Sequence, residues 1–478
     1  MNHKKVSAAV LAALAAAATW SAEAADEKSF QPYIGLDLTW VDNLNLAGPG
    51  DGPKQEEYIG QVTPGLRLKK ETQRLKTYLD YRLQALFYEE NDELDEVRHN
   101  GSLSLDLTAV ENWLSVKADG AYFQSLVDPN RPANINNMFA VGNQADTATG
   151  RITPTLRHRF GSADFLASYS VGFVDYRDDS DSANVLLDDS RNEEGIAQLS
   201  GADPEALVTW LGSYDYQHVE YDLSLPFEYE RAYGELGLRV GPGLRLIGRG
   251  GEESDPFDLP SDGGLDESFW AAGFDWRRGA NFQLRVLGGE RFFGNSWEAL
   301  LRAKGRVLDL ELNYEETPTT QTQRISMTDI QPPDPALPVQ PVPPDAASFG
   351  RSTSDTYLLK RAHMSLAAVG RLTRIGVDVT TEEREYVLLG GIQDQFDSAR
   401  VFVSRRFGQY TSGEISAGLV DSELREGGDY RDVVYDLRLA RQIGQRTSVS
   451  LTGHRLSRSG DIDEYDANWV SVGLLMSF

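Results

Sequence analysis

The sequence predicts an all-β fold: a transmembrane, antiparallel, up-and-down β-barrel of about 18–20 strands with long extracellular loops. Three observations carry this reading. The last strand is amphipathic, the first residues form a secretory leader, and short turns alternate with long polar connections in between.

The closing strand comes first in the argument. Val470, Val472, Leu474, Met476 and Phe478 form one apolar face, with Ser471, Gly473 and Ser477 between them. Period-2 alternation over about ten residues is the pattern of a strand with lipid on one side. An aromatic carboxyl-terminal residue on such a strand resembles the assembly signal of bacterial outer-membrane barrels. The strand is expected to pair with the first one, near 31–41, and so remove both open edges of the sheet.

At the other end, Lys4 and Lys5 precede an apolar run from Val6 to Trp20, and Ala22-Glu23-Ala24 follows as a small-residue cleavage pattern. This order is that of a signal peptide, assigned to 1–24, leaving 25–478 as a single barrel domain. No later stretch approaches the roughly 20 apolar residues of a spanning helix.

Composition agrees. Mean hydropathy is −0.41, too polar for a helical membrane protein. A barrel shows lipid only one face of each strand, so its overall composition stays polar. Cysteine is absent, which excludes disulfides, thiolate metal sites and cysteine nucleophiles. Tyr, Trp and Phe number 20, 8 and 19, enough for aromatic girdles. The formal charge of −27 disfavours nucleic acid, because phosphates would be repelled. Acidic runs at Asp178-Asp179-Ser180-Asp181, Asp188-Asp189 and Glu193-Glu194 read as solvated loops.

Eight short turns are legible, at 70–72, 110–112, 160–162, 279–281, 304–306, 372–373, 407–409 and 443–445. Most carry the Gly and Asn chemistry of tight hairpins. Long connections are expected at 42–56, 126–146, 179–211, 247–268 and 317–356. A short helix is expected from Asp203 to Leu211, opened by Pro204 after an aspartate cap. The proline-rich stretch from Pro332 to Pro344 reads as an extracellular loop in polyproline-like form.

Several strands sort cleanly into faces. Leu75, Thr77, Leu79, Tyr81, Leu83, Ala85 and Phe87 oppose Lys76, Tyr78, Asp80, Arg82, Gln84, Leu86 and Tyr88. Leu308, Leu310, Leu312 and Tyr314 oppose Asp309, Glu311, Asn313 and Glu315. Tyr221, Leu223, Leu225, Phe227 and Tyr229 oppose an acidic face that includes Glu228 and Glu230. A charge facing lipid costs about 2–4 kcal/mol at the midplane, so charged faces are expected to point inward. The expected lumen-lining arginines are Arg67, Arg82, Arg98, Arg151, Arg157, Arg159, Arg239, Arg245, Arg285 and Arg438, with Arg291 beside them. Inward acids are expected at Asp80, Asp106, Glu228, Glu230, Asp309, Glu311 and Asp436. The two signs either pair into a network that fills and stiffens the lumen, or leave an arginine ladder that guides an anion. The abundance of both signs favours the network.

Catalysis finds no support in the motifs. None of the six histidines lies in a metal-binding spacing, and no nucleophile elbow, phosphate loop or dinucleotide fingerprint occurs in context. His218 and His454 fall on strands near the outer rim with serines about, which is unspecific. No catalytic, cofactor-binding or metal site is expected.

Gly35-Leu36-Asp37-Leu38-Thr39-Trp40-Val41-Asp42-Asn43-Leu44 is followed by Val62-Thr63-Pro64-Gly65-Leu66-Arg67-Leu68. These two arms resemble the outer-membrane barrels associated with PEP-CTERM/exosortase and exopolysaccharide gene clusters. Pro-Gly-Leu-Arg-Leu recurs at Pro242 to Leu246, which reads as a repeated strand design. The resemblance implies outer-membrane residence and a role in export of exopolysaccharide or surface assembly; it carries no catalytic residue. The partners expected are outer-membrane lipid and lipopolysaccharide, the barrel-assembly machinery through the last strand, and polysaccharide. The function expected is a porin-like channel or export component, with a plugged surface scaffold as the structural rival and a lipid hydrolase as the enzymatic one.

Overall fold

The computed structural model describes residues 30–127, 137–177, 187–257, 264–327, 354–424, 428–461 and 463–478. The expected leader, the Asp178–Asp181 run and the proline-rich stretch lie outside them. The described chain forms one closed sheet of 22 antiparallel strands in which every strand pairs with its neighbours in sequence. In order these are β1 (Phe30–Val41), β2 (Glu57–Glu71), β3 (Leu75–Tyr88), β4 (Glu96–Val110), β5 (Leu114–Leu126), β6 (Gln144–Phe160), β7 (Ala163–Arg177) and β8 (Ser190–Gly201). They continue as β9 (Val208–Tyr221), β10 (Phe227–Gly241), β11 (Leu244–Glu253), β12 (Glu267–Arg277), β13 (Phe282–Arg291), β14 (Gly294–Lys304) and β15 (Leu308–Thr320). The last are β16 (Thr356–Val369), β17 (Thr373–Tyr386), β18 (Ile392–Arg406), β19 (Thr411–Leu424), β20 (Tyr430–Gln442), β21 (Thr447–Gly460) and β22 (Tyr465–Ser477). One helix, α1 (Gln321–Met327), follows β15.

The first and last strands close the barrel, from Tyr33 opposite Ser477 to Val41 opposite Trp469. The Phe478 amide donates to the Pro32 carbonyl at 2.9 Å, one step beyond the ladder. Val470 and Val472 stand on the outer surface, as the alternation requires.

The strand number exceeds the expected 18–20, and the cause is specific. Turns lie where the sequence reads strand or loop: residues 222–226 separate β9 from β10, so the face from Tyr221 to Tyr229 is not one strand but the two arms of a hairpin. The acidic stretch read as one long loop over 179–211 contains β8, whose Glu193 and Glu194 lie mid-strand. Glu194 faces the lumen, whereas Glu193 points outward in the loop half of the strand, where Arg191 at 3.0 Å and the Tyr169 hydroxyl hold it. The helix expected at 203–211 is instead the turn between β8 and β9: Asp203 Oδ1 accepts from the Glu205 amide at 2.9 Å, and the strand resumes at Val208.

Another hidden turn lies at the start of the Pro242–Leu246 repeat. Gly241, Pro242 and Gly243 turn the chain from β10 into β11. Gly243 has φ +71°, and a Cβ there would lie 1.8 Å from the Arg277 carbonyl oxygen, so only glycine fits. The Pro-Gly-Leu-Arg-Leu repeat is therefore not a repeated strand: one copy is mid-strand in β2, the other straddles a hairpin. The loop expected over 247–268 likewise shrinks, because β11 runs on to Glu253.

Pro64 and Pro154 sit inside strands, where a missing donor should interrupt pairing. It does. The β2–β3 ladder skips Thr63 and Pro64, and the β6–β7 ladder skips Thr153 and Pro154. Both ladders resume in unchanged register, so each proline removes local bonds without displacing the faces.

Candidate functional site

Outside, the barrel presents an apolar belt: Leu36, Leu38, Leu103, Ile152, Leu238, Leu246 and Val472 are all exposed. Exposed Trp113, Trp210 and Trp276 lie toward the short-turn end, and Tyr58, Trp270 and Trp297 toward the loop end. Apolar residues between two aromatic girdles are what a barrel presents to a bilayer. The other face of each strand lines the lumen, which is where chemistry is possible.

The ten arginines expected inside occupy inward positions of the register, and most meet carboxylates. Arg67 reaches Asp80 at 3.2 Å, Arg98 reaches Glu96 at 2.7 Å, and Arg159 grips Asp164 at 2.6 Å. Arg151 lies 3.9 Å from Asp119, and Arg239 lies 3.5 Å from Glu205. Arg245 donates to the Pro204 carbonyl at 2.6 Å. Arg82 and Arg157 make no ion pair among the described residues. Arg82 Nε, Asn100 Nδ2 and Ser102 Oγ, neighbours on β3 and β4, lack hydrogen-bond partners.

Arg285 belongs to a closed ring of charges. Glu235 accepts from Arg249 at 2.9 Å and from Arg285 at 2.7 Å. Glu298 accepts from the same two arginines at 2.9 and 3.5 Å. Two positive and two negative groups thus alternate around four strands, and the network form of the lumen prevails here over a free cationic ladder. Arg249 and Glu298 were not singled out in the sequence; the register that joins β11 to β14 brings them together.

Two expected inward acids point outward instead. Phe227 and Tyr229 are buried on the lumen side, so Glu228 and Glu230 face out. They sit in the first residues of β10, at the loop end, above the apolar belt. The midplane penalty does not apply there, and the aromatic side chains take the inward positions to build a small core with Val219 and Tyr221.

Inward-folded segments narrow the loop end of the lumen. Leu44, Leu46, Met138 and Phe139 pack on the wall residues Ile59, Leu86, Leu456 and Trp469. Asn137 ties Gln84 to Gln124 at 3.0 Å each, and the Tyr88 hydroxyl donates to the Met138 carbonyl. On the opposite side the end of β15 reaches across to β9, which is not its neighbour in the sheet: the Tyr221 hydroxyl donates to Thr320 Oγ1 at 2.8 Å. Gln323 on α1 donates to Gln217 at 3.2 Å, and Ile325 packs on Val174 and Tyr176 of β7. Arg324 and Arg384 converge on Glu382, each at 2.6 Å. Arg384 has no solvent exposure and lies over the rings of Tyr357 and Phe396.

A second irregularity lies in the wall beside this brace. The β14–β15 ladder runs only from Lys304 opposite Asp309 to Ala299 opposite Tyr314. Continuing that register would set Ser296 opposite Thr317, yet the strands diverge. Side chains take the bonds that a ladder would make: Arg291 donates to the Glu316 carbonyl at 2.9 Å, and the Trp297 amide donates to the Glu316 carboxylate at 3.3 Å. A pocket of about 310 Å³ occupies this seam, lined from within by Arg231, Arg249, Arg291, Glu298 and Glu315 and from without by Trp270 and Trp297.

His454 Nδ1 bonds Asp436 at 2.6 Å, and its ring stacks on Trp469. Ser416 donates to the same Asp436, not to the imidazole, and His454 Nε2 has no partner. The serine–imidazole contact that acyl transfer requires is not made here. His218 faces outward and stacks on Tyr216.

No protein-family model matches this chain, and no curated protein matches it. Among solved structures it is similar to the siderophore receptor PirA of Pseudomonas aeruginosa, at 9% identity and a TM-score of 0.45, over 94% of this chain and 81% of that one. A ferric enterobactin receptor (PfeA) variant from the same organism, in complex with enterobactin, gives 9% identity and a TM-score of 0.49 over 94% and 81%. OpdK from the same organism, with vanillate, gives 9% and 0.36 over 94% and 99%. Likenesses this remote carry no information about cargo.

Proposed function

We propose that this chain is an outer-membrane channel for a polar solute of mixed or no net charge, held narrow at its outer mouth. The observation that carries the reading is the lumen wall. Away from the apolar clusters at the loop end, its inward face carries charges that are largely paired in both signs, as in the Glu235–Arg249–Glu298–Arg285 ring. Such a surface passes hydroxyl-rich solutes without trapping either sign of ion. A polysaccharide strand is one solute of this chemistry, which keeps exopolysaccharide export as the finer reading.

The second reading, a closed scaffold at the cell surface, is favoured by the packed segments at the loop end. Conductance of the purified chain in planar bilayers separates the two. The channel reading expects discrete openings that a soluble oligosaccharide reduces from one side. No conductance at any applied voltage, in the native chain and in a variant loosened at Thr320, would overturn it.

A further inference from the structure

Among the described residues, the β14–β15 ladder is the shortest in the barrel. Five ladder steps, from Lys304 to Ala299, precede the point where the strands part. The divergence begins beside the outward-facing Tyr314 and Trp297, at the loop-end aromatic girdle, and Glu316 just beyond it stands outward opposite Lys360. Backbone groups left without a ladder partner at the interface need side chains, water or lipid heads to meet them. Two are met by Arg291 and Glu316.

The two sides of that pocket differ. Toward the lumen stand Arg231, Arg249 and Arg291, each with a carboxylate behind it (Asp215, Glu235 and Glu253), and facing them Glu298 and Glu315, with Ser296 and Asn313 between. Toward lipid stand the rings of Trp270 and Trp297, both more than half exposed. A charged, hydrogen-bonding interior continuous with an aromatic exterior matches one class of ligand: an amphiphile with a head bearing both signs of charge and an acyl tail. The divergence also has a cause within the fold. Pro318, Thr319 and Thr320 are buried because β15 leans inward to meet Tyr221 on β9, while β14 stays paired with β13. Narrowing of the mouth and parting of the wall are thus one displacement of β15.

We propose that the β14–β15 seam is a lateral doorway that binds a zwitterionic phospholipid of the surrounding bilayer, its head among Arg231, Arg249, Arg291, Glu298 and Glu315 and its acyl chains along Trp270 and Trp297. The inference stands apart from the channel reading, since a barrel without conductance would still bind lipid there.

The test uses the full chain in bilayers of phosphatidylethanolamine and phosphatidylglycerol, with a trace of phosphatidylethanolamine photoactivatable near its head. Labelling is expected to concentrate at 296–298 and 315–317, at least fivefold above the outward face of β5. The chain has no cysteine, so a Ser296→Cys, Thr317→Cys pair can close the seam; oxidation should abolish the excess and reduction restore it. Where that bond does not form, the Glu298→Ala, Glu315→Ala variant must lower the excess at least threefold. Uniform labelling around the barrel, or an excess indifferent to closure and to the glutamate changes, overturns the doorway. Equal labelling by a phosphatidylglycerol tracer overturns the zwitterionic head.

Discussion

The amide of Trp297 is held by the carboxylate of Glu316 at 3.3 Å, where an unbroken ladder would have given it a backbone carbonyl. The Tyr314 hydroxyl bonds the same carboxylate at 2.5 Å. One side chain thus takes over backbone pairing at the point where two strands part. Removing it takes away that donor's partner. Glu316→Ala should lower stability by about 1–3 kcal/mol in urea titrations in lipid. Glu311→Ala, whose pair with Arg302 is exposed, should stay within about 0.5 kcal/mol. Equal effects would refute a structural role for Glu316.

The four-charge ring gives a second expectation. Glu235 serves two arginines at once, and its side chain and both partners are largely shielded. Glu235→Ala leaves both cations short of a partner and should destabilise by about 3 kcal/mol. Combining it with Arg249→Ala should recover part of the loss, with a coupling above about 1 kcal/mol in a double-mutant cycle. Simple additivity would show that the four groups do not act as a unit.

Brace and mouth can be separated by two small changes. Tyr221→Phe and Thr320→Val remove one hydrogen bond between β9 and β15 while keeping shape. Single-channel conductance should rise several-fold in the double variant. An unchanged value would mean that the brace does not limit passage.

Ion preference tests what remains of the cationic ladder. Arg157 makes no ion pair among the described residues, and Arg245 is held only by a carbonyl. Changing both to Glu should shift the reversal potential in a salt gradient toward cation preference. Constant selectivity would remove these positions from the ion path.

The closing strand supplies the last expectation. Val472 faces outward midway along the β1–β22 seam. Val472→Arg should cost about 2–4 kcal/mol and reduce heat-resistant, folded barrel in membranes. Val472→Ala should fold normally. A fully tolerated arginine would place this seam outside the lipid belt.

Much of the barrel was legible because the alternation in β3, β4 and β15 is local: each side chain's face follows from its own position along the strand. The closing strand and its pairing with 31–41 followed from the same logic. Legibility failed where local chemistry misled. The acids of β8 looked like loop, since nothing in the residues themselves says that Glu194 will meet a polar lumen while Glu193 sits outward near the loops. Pro242-Gly243 looked like part of a strand because the same letters are one in β2. Glu228 and Glu230 were misfaced because height along the barrel, not sequence, decides whether charge may point outward.

The sequence by itself determined that this chain is a barrel, which residues alternate, and where its ends meet, because period-2 patterning needs only nearest neighbours. Tertiary structure alone decided the charge ring, the reach of Thr320 to Tyr221 and the parted seam beside Glu316. Those contacts join strands that are distant in sequence or depend on how the wall bends inward. No pattern along one strand encodes the distance across a lumen.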